Sequence, residues 1–139
     1  MKVADFEFGY KKYRKLKKQN NYHILHRTAH KYLAVMVKFK RKGLTKEDYL
    51  FNVVKYYDNA AKYYEYGRNL VLTMLIPLYI TVVALKSVMN FSNVTYFFIV
   101  LSVIVISLRF YHHYSEMVSY YLFYLDIVKE YINKINTAE

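Results

Sequence analysis

Hydrophobic and polar positions along this 139-residue chain follow two regimes. Before Arg68 and after Arg109 apolar residues alternate with charged ones, whereas between those arginines charge almost vanishes. Asn69 to Leu85 is a run of seventeen uncharged residues, and Ser87 to Leu108 is a run of twenty-two, with Lys86 between them. A helix rises ~1.5 Å per residue, so roughly 20 such residues cross a ~30 Å hydrocarbon core. The second run meets that length directly. The first meets it when Lys86 extends its ammonium to headgroup level, as a Lys near a helix end readily does. The pattern predicts a two-span helical hairpin, with residues 69–89 as the first span and 90–93 as the turn. Residues 94–108 form the second span, which can begin as early as 91. The competing reading is a soluble protein with two buried core helices, but so small a domain rarely conceals two helices that are apolar all round. Both runs also lie far from the N-terminus and lack a small-residue cleavage site, unlike a signal peptide.

The flanks carry helical periodicity. Residues 44–68 open at Thr45, whose hydroxyl is placed to cap the backbone N–H of Asp48, an acidic residue suited to a helix N-terminus. Leu50, Val54, Tyr57, Ala61 and Tyr64 then repeat at 4-3-4-3 spacing with no Pro before Arg68, predicting one long helix that runs into the first span. Gly67 is a weak point, costing up to ~1 kcal/mol relative to Ala. After the second span, residues 109–136 repeat Tyr114, Val118, Tyr121, Leu125, Val128, Ile132 and Ile135 at the same spacing. Such repeats form seams that bury against another helix. Antiparallel pairing places Tyr64 near Tyr114, Ala61 near Val118, Tyr57 near Tyr121 and Leu50 near Val128. The fold class expected is therefore an all-α membrane protein, a two-transmembrane hairpin whose helices extend into a cytoplasmic antiparallel coiled-coil stalk. Residues 1–43 add a basic N-terminal region. Within it, residues 21–42 read as an amphipathic helix with Tyr22, Leu25, Ala29, Tyr32, Leu33, Met36 and Phe39 on one face, ended at Gly43. Alternation at Val35–Lys40 leaves a strand open there, and Val3–Phe8 alternates like a short strand or extended arm.

Charge adds an orientation. Residues 1–68 carry 17 Lys/Arg against 6 Asp/Glu, the segment 69–108 holds only Lys86, and 109–139 is close to neutral. Near the spans, Lys55, Lys62 and Arg68 outweigh Lys86, which places both termini in the cytoplasm. Lys11, Lys12, Arg14, Lys15, Lys17 and Lys18, with Arg68 and Arg109, are candidates to contact anionic lipid, each gaining about 1 kcal/mol near such a leaflet. Tyr10, Tyr13 and Tyr22 interleave that basic run and leave nucleic acid as a weaker candidate partner; a solvated basic tail is equally open. Eighteen tyrosines, many just outside the spans, fit an aromatic belt and stalk packing.

Candidate chemistry is sparse. No cysteine is present, which excludes thiol chemistry and Cys-based zinc sites. His23, His26 and His30 share one helix face, but no carboxylate stands at matching spacing, so no metal or cofactor is assigned. His112 and His113 read as interfacial residues. Paired catalytic carboxylates, a Gly-rich phosphate loop, a nucleophile elbow and HExxH are absent, so an enzyme is not expected. The spans hold the remaining hints. Pro77 frees the carbonyl of Thr73, and Asn69, Thr73 and Thr81 lie about it; Ser92, Thr95 and Ser102 share a side of the second span. Weakly polar stripes of this kind knit helices together, at ~0.6 kcal/mol per hydrogen bond, or line a pore. Two helices enclose no channel, so a pore requires a homo-oligomer.

A basic amphipathic helix, the tract Tyr56-Tyr-Asp-Asn-Ala-Ala-Lys-Tyr-Tyr-Glu-Tyr-Gly-Arg-Asn-Leu70 entering a first span, a short turn, a second span and a Tyr-rich amphipathic tail make up residues 45–135 and their N-terminal flank. This layout resembles the SLATT-type two-transmembrane effectors of bacterial anti-phage systems, including those of nucleotide-signalling (CBASS-like) and retron loci. The resemblance implies an effector that oligomerises in the inner membrane, permeabilises it and halts the infected cell. The alternative is a membrane-anchored scaffold recruiting a cytoplasmic protein partner through the basic N-terminal half. A phage holin is a third option.

Overall fold

A computed structural model describes residues 9–39, 43–89 and 92–137. Four helices and no strand occur among them: α1 (Tyr10–Lys18), α2 (Tyr22–Phe39), α3 (Lys46–Met89) and α4 (Asn93–Asn136). The alternating segment 3–8, residues 40–42 ahead of Gly43 and residues 90–91 of the turn lie outside the described residues. Val35–Lys38, the stretch open to a strand, is helical. The chain divides into two compact units, Met1–Ala61 with Ser119–Glu139, and Lys62–Val118.

Local chemistry sets the helix ends. Thr45 caps α3 as its sequence predicts: its Oγ1 accepts from the Asp48 N–H at 3.1 Å and its hydroxyl donates to the Asp48 carboxylate at 2.7 Å. At the start of α4 the Thr95 N–H donates to Ser92 Oγ at 3.2 Å, and the two hydroxyls share a hydrogen bond of 2.9 Å. Ser92 and Thr95 therefore cap the start of α4. Between α1 and α2, Asn20 turns the chain with φ 52°, a left-handed conformation that Asn tolerates better than most residues. Gly43 supplies φ 84° in the turn before α3. α3 remains helical through Pro77.

The first unit has a core made by all four helices. Leu25, Ala29, Leu33 and Met36 of α2 are buried, with Tyr49, Leu50, Val53 and Tyr57 of α3, and Tyr120, Tyr121, Tyr124, Leu125, Ile127 and Val128 of α4. Fully burying one such aliphatic side chain contributes ~1.5–3 kcal/mol. Where α2, α3 and α4 meet, Leu33, Met36, Val53, Tyr57, Tyr124 and Val128 help enclose a void of only ≈ 10 Å³. The expected seam is present in the ring pair Tyr57–Tyr121, with centroids 6.2 Å apart. It is not the whole interface, however. Val54 is half-exposed while Val53 and Tyr49 are buried, because α3 turns toward α2 as well as α4. On α4 a second row, Tyr120, Phe123, Ile127 and Glu130, also at 3-4-3 spacing, meets the N-terminal helices. A coiled coil with one partner per helix leaves that row to solvent; α1 and α2 cover it instead.

In the second unit, Tyr64 pairs with Tyr114 at 6.2 Å, as the seam spacing predicts. Gly67 allows a close approach: a Cβ built there stands 2.5 Å from Tyr114 Cε1 and 2.9 Å from Cδ1 and Cζ. The remainder of this unit is long apolar helix. α3 and α4 are each long and apolar enough to cross a membrane, and in the most apolar stretch of each at most 6% of residues are buried.

Candidate functional site

Two places gather the residues with chemistry, one in each unit. In the second unit, the apolar stretches expose Ile76, Tyr79, Ile80, Val88, Phe97 and Phe98, among others. A soluble core helix would bury such residues; these face outward. Four hydroxyls among them are satisfied within their own helix. Thr73 donates to the Leu70 carbonyl at 3.0 Å, Thr81 to that of Pro77 at 2.8 Å, Ser87 to that of Val83 at 3.4 Å and Ser102 to that of Phe98 at 2.8 Å. Such back-bonding gives these four hydroxyl protons an acceptor that an apolar surrounding would not supply. Thr73, Thr81 and Ser102 thus sit on exposed helix surface and use their protons locally. Asn69 is likewise exposed at the lower edge of this stretch. Lys86 lies over the ring of Tyr96, its Nζ 4.5 Å from the centroid. That cation–π contact, worth ~0.5–1 kcal/mol at an exposed site, holds the lone charge between the apolar runs beside an aromatic ring. Arg68 bonds Glu65 at 3.2 Å and Arg109 is exposed.

The first unit positions the basic N-terminal run. α1 buries Tyr13 against the rings of Tyr120 and Phe123, with centroids 5.1 and 5.6 Å away, while Lys11, Lys15 and Lys18 are exposed. Lys12 and Arg14 are exposed too, and Lys17 crosses the Tyr13 ring with its Nζ 5.6 Å from the centroid. The basic run, a candidate for anionic-lipid contact, is an amphipathic helix docked through Tyr13, with its cationic side chains outward. Burial, and then the neighbouring Tyr120 and Tyr57 rings, push the Tyr124 hydroxyl well above the usual phenol range.

On the adjoining face, α2 and α4 bring together three ligand-type side chains. His26 Nε2 stands 2.7 Å and His30 Nε2 3.1 Å from the same Glu130 oxygen, Oε2, while Lys134 donates to Oε1 at 2.6 Å. The two imidazole centroids are 4.6 Å apart. The Lys134 hydrogen bond, with those from His30 and His26, holds the Glu130 carboxyl well below the usual carboxylate range, at about 2. Sequence spacing puts the two histidines on one face, but their carboxylate lies about a hundred residues away and only the fold supplies it. His23 is exposed and stands outside this group.

No protein-family model, curated protein or solved structure matches the chain.

Proposed function

We propose that the chain is an integral membrane protein, a two-span hairpin with both termini on the cytoplasmic side, that self-associates in the bilayer and permeabilises it. The observation that carries this reading is the exposed apolar surface of α3 and α4, with the hydroxyls of Thr73, Thr81 and Ser102 bonded to their own helices. Left in water, contiguous apolar surface of that kind aggregates; in lipid it costs nothing and needs no covering. The charge bias supports the orientation. Seventeen of 21 Lys/Arg precede Asn69, and the short turn side carries Lys86. Two helices enclose no channel, so permeabilisation requires several copies meeting along the surfaces that hold Thr73, Thr81 and Ser102. Small hydroxyl residues let helices approach closely, and a hydroxyl can exchange its backbone acceptor for one on a neighbouring helix. By its resemblance to SLATT-type effectors, such an activity belongs to anti-phage defence, with membrane loss arresting the infected cell.

The experiment combines topology with leakage. Cysteines placed at 88 and at 134 in this cysteine-free chain should label from outside and from inside the cell respectively. Induced expression should depolarise cells, and Thr73→Leu, Thr81→Leu or Ser102→Leu should relieve it. Intact membrane potential at high expression would sink the effector reading while leaving the hairpin standing. A membrane-anchored scaffold is then the reading that remains, and one feature favours it. A groove of ≈ 530 Å³ in the first unit is lined by Leu50, Phe51, Val54, Ile132 and Ile135, with Phe51 68% exposed. That groove has the apolar lining of a docking site for a partner segment. Co-purification of a defined protein, lost on Phe51→Glu, distinguishes this reading.

A further inference from the structure

From the convergence of His26 and His30 of α2 with Glu130 of α4, we infer a divalent transition-metal site, of the kind zinc occupies, that clips the N-terminal helix to the C-terminal one. Three observations carry it. First, the ligand atoms already converge: both Nε2 atoms face one carboxylate oxygen at 2.7 and 3.1 Å, and all three ligand atoms lie within 4.8 Å of one another. An ion with ligands at ~2.0–2.2 Å in tetrahedral array separates neighbouring ligand atoms by somewhat over 3 Å. Side-chain adjustment at three residues that are each partly exposed brings the ligand atoms to that spacing. Second, His26 and His30 stand at i and i+4 on one helix, the spacing at which two imidazoles on adjacent turns bind a single zinc. The backbone of α2 fixes that spacing, so little ordering remains to be done on binding. Third, the carboxylate is ready as an anion. Lys134 holds Oε1 at 2.6 Å and orients the group, leaving Oε2 to the ion, in the manner of the outer hydrogen bonds that aim metal-binding carboxylates.

An open groove lined by His30, Lys31, Lys46 and Lys134 gives the ion a path in. Those lysines oppose a dication, but Lys134 is 64% exposed, and the water around an exposed charge weakens its repulsion. The residue after His26 is Arg27, not the glutamate that serves as general base in HExxH hydrolases, so the pair is not that motif. The clip belongs to the helical head and does not depend on what the hairpin does in the membrane.

Full-length protein purified in detergent and stripped with EDTA is the material for the test. Zn²⁺ should bind at one ion per chain by calorimetry, and Co²⁺ should give the visible absorption of a tetrahedral site. Zn²⁺ should raise the melting temperature reversibly with EDTA. His30→Ala and Glu130→Gln should each weaken binding by more than ~10-fold, the least that even losing an outer-shell partner costs. His112→Ala should leave it unchanged. Because Glu130 is partly exposed, Glu130→Gln keeps the test open if His30→Ala fails to fold. The clip is overturned by any of three results: no stoichiometric binding to the wild-type chain, binding indifferent to Glu130→Gln, or binding lost with His112.

Discussion

Gly67→Ala isolates the contact between α3 and α4 in the second unit, because its two effects have opposite signs and separable origins. In a helix interior Ala is favoured over Gly by ~1 kcal/mol. Against that, the new Cβ stands 2.5 Å from Tyr114 Cε1 and 2.9 Å from Cδ1 and Cζ. Carbon atoms rest at ~3.5–4.0 Å, so the ring must retreat by about 1 Å. Three ring atoms are involved, and spinning the ring about its own axis does not clear them. Overpacking of this kind costs ~1–3 kcal/mol. The net change expected for Gly67→Ala is therefore about 0–2 kcal/mol of destabilisation. In a Tyr114→Ala background the obstacle is gone, and the same substitution should stabilise by up to ~1 kcal/mol. The sign reversal gives a coupling of about 1–3 kcal/mol, well above the ~0.3–0.5 kcal/mol scatter of independent sites. Thermal unfolding of the four proteins in one detergent, followed by circular dichroism, measures it. Should Gly67→Ala stabilise both backgrounds equally, Tyr114 does not pack on Gly67 and the pairing of these helix segments is wrong.

Thr45→Ala and Ser92→Ala each remove a side-chain cap and should each cost ~0.5–2 kcal/mol, read as lowered melting temperatures; Thr95→Val, which keeps the backbone donor, should cost less than Ser92→Ala. Leu25→Ala, at a side chain with no exposure, should cost ~2–5 kcal/mol. α1 has nine residues, too few for a stable isolated helix, so Tyr13→Ala should strip its amides of hydrogen-exchange protection while those of α3 and α4 stay protected. Glu130 is ordinarily near 4.5 when unfolded and about 2 when folded. The unfolded chain therefore binds the extra proton, and the stabilisation is complete above about 4.5 and lost as pH falls from there toward 2. The wild type should lose melting temperature more steeply over that window than Glu130→Gln, and equal slopes would mean that the carboxylate makes no such contacts.

How far the sequence discloses this arrangement depends on how many neighbours each helix has. The apolar runs are legible because length and composition alone pick them out, with no periodicity needed. The ring pairs Tyr57–Tyr121 and Tyr64–Tyr114 follow from heptad spacing, since all four rings lie on the rows that α3 and α4 turn toward each other. Ser92 and Thr95 are ambiguous for a geometric reason. Three residues is both the step between neighbours on a helix face and the step from a cap to the N–H it accepts, so only the helix start decides between stripe and cap.

The same limit explains why the head and its histidine cluster are invisible to periodicity. Tyr120, Phe123, Ile127 and Glu130 step 3-4-3 along α4, as good a seam as Tyr121, Leu125 and Val128, and the two interlock on one helix. A seam search that grants each helix one partner keeps the more apolar row and assigns the other to solvent, and Glu130 above all looks like a solvated charge. Once α1 and α2 are present, the rejected row becomes an interface. Tyr13 takes its aromatic part, and His26 and His30 meet the carboxylate that ends it. A charged residue continuing an otherwise aromatic and aliphatic row is then a specification of its partner: α2 must answer it with donors or a shared cation, and at that point it presents two imidazoles one turn apart.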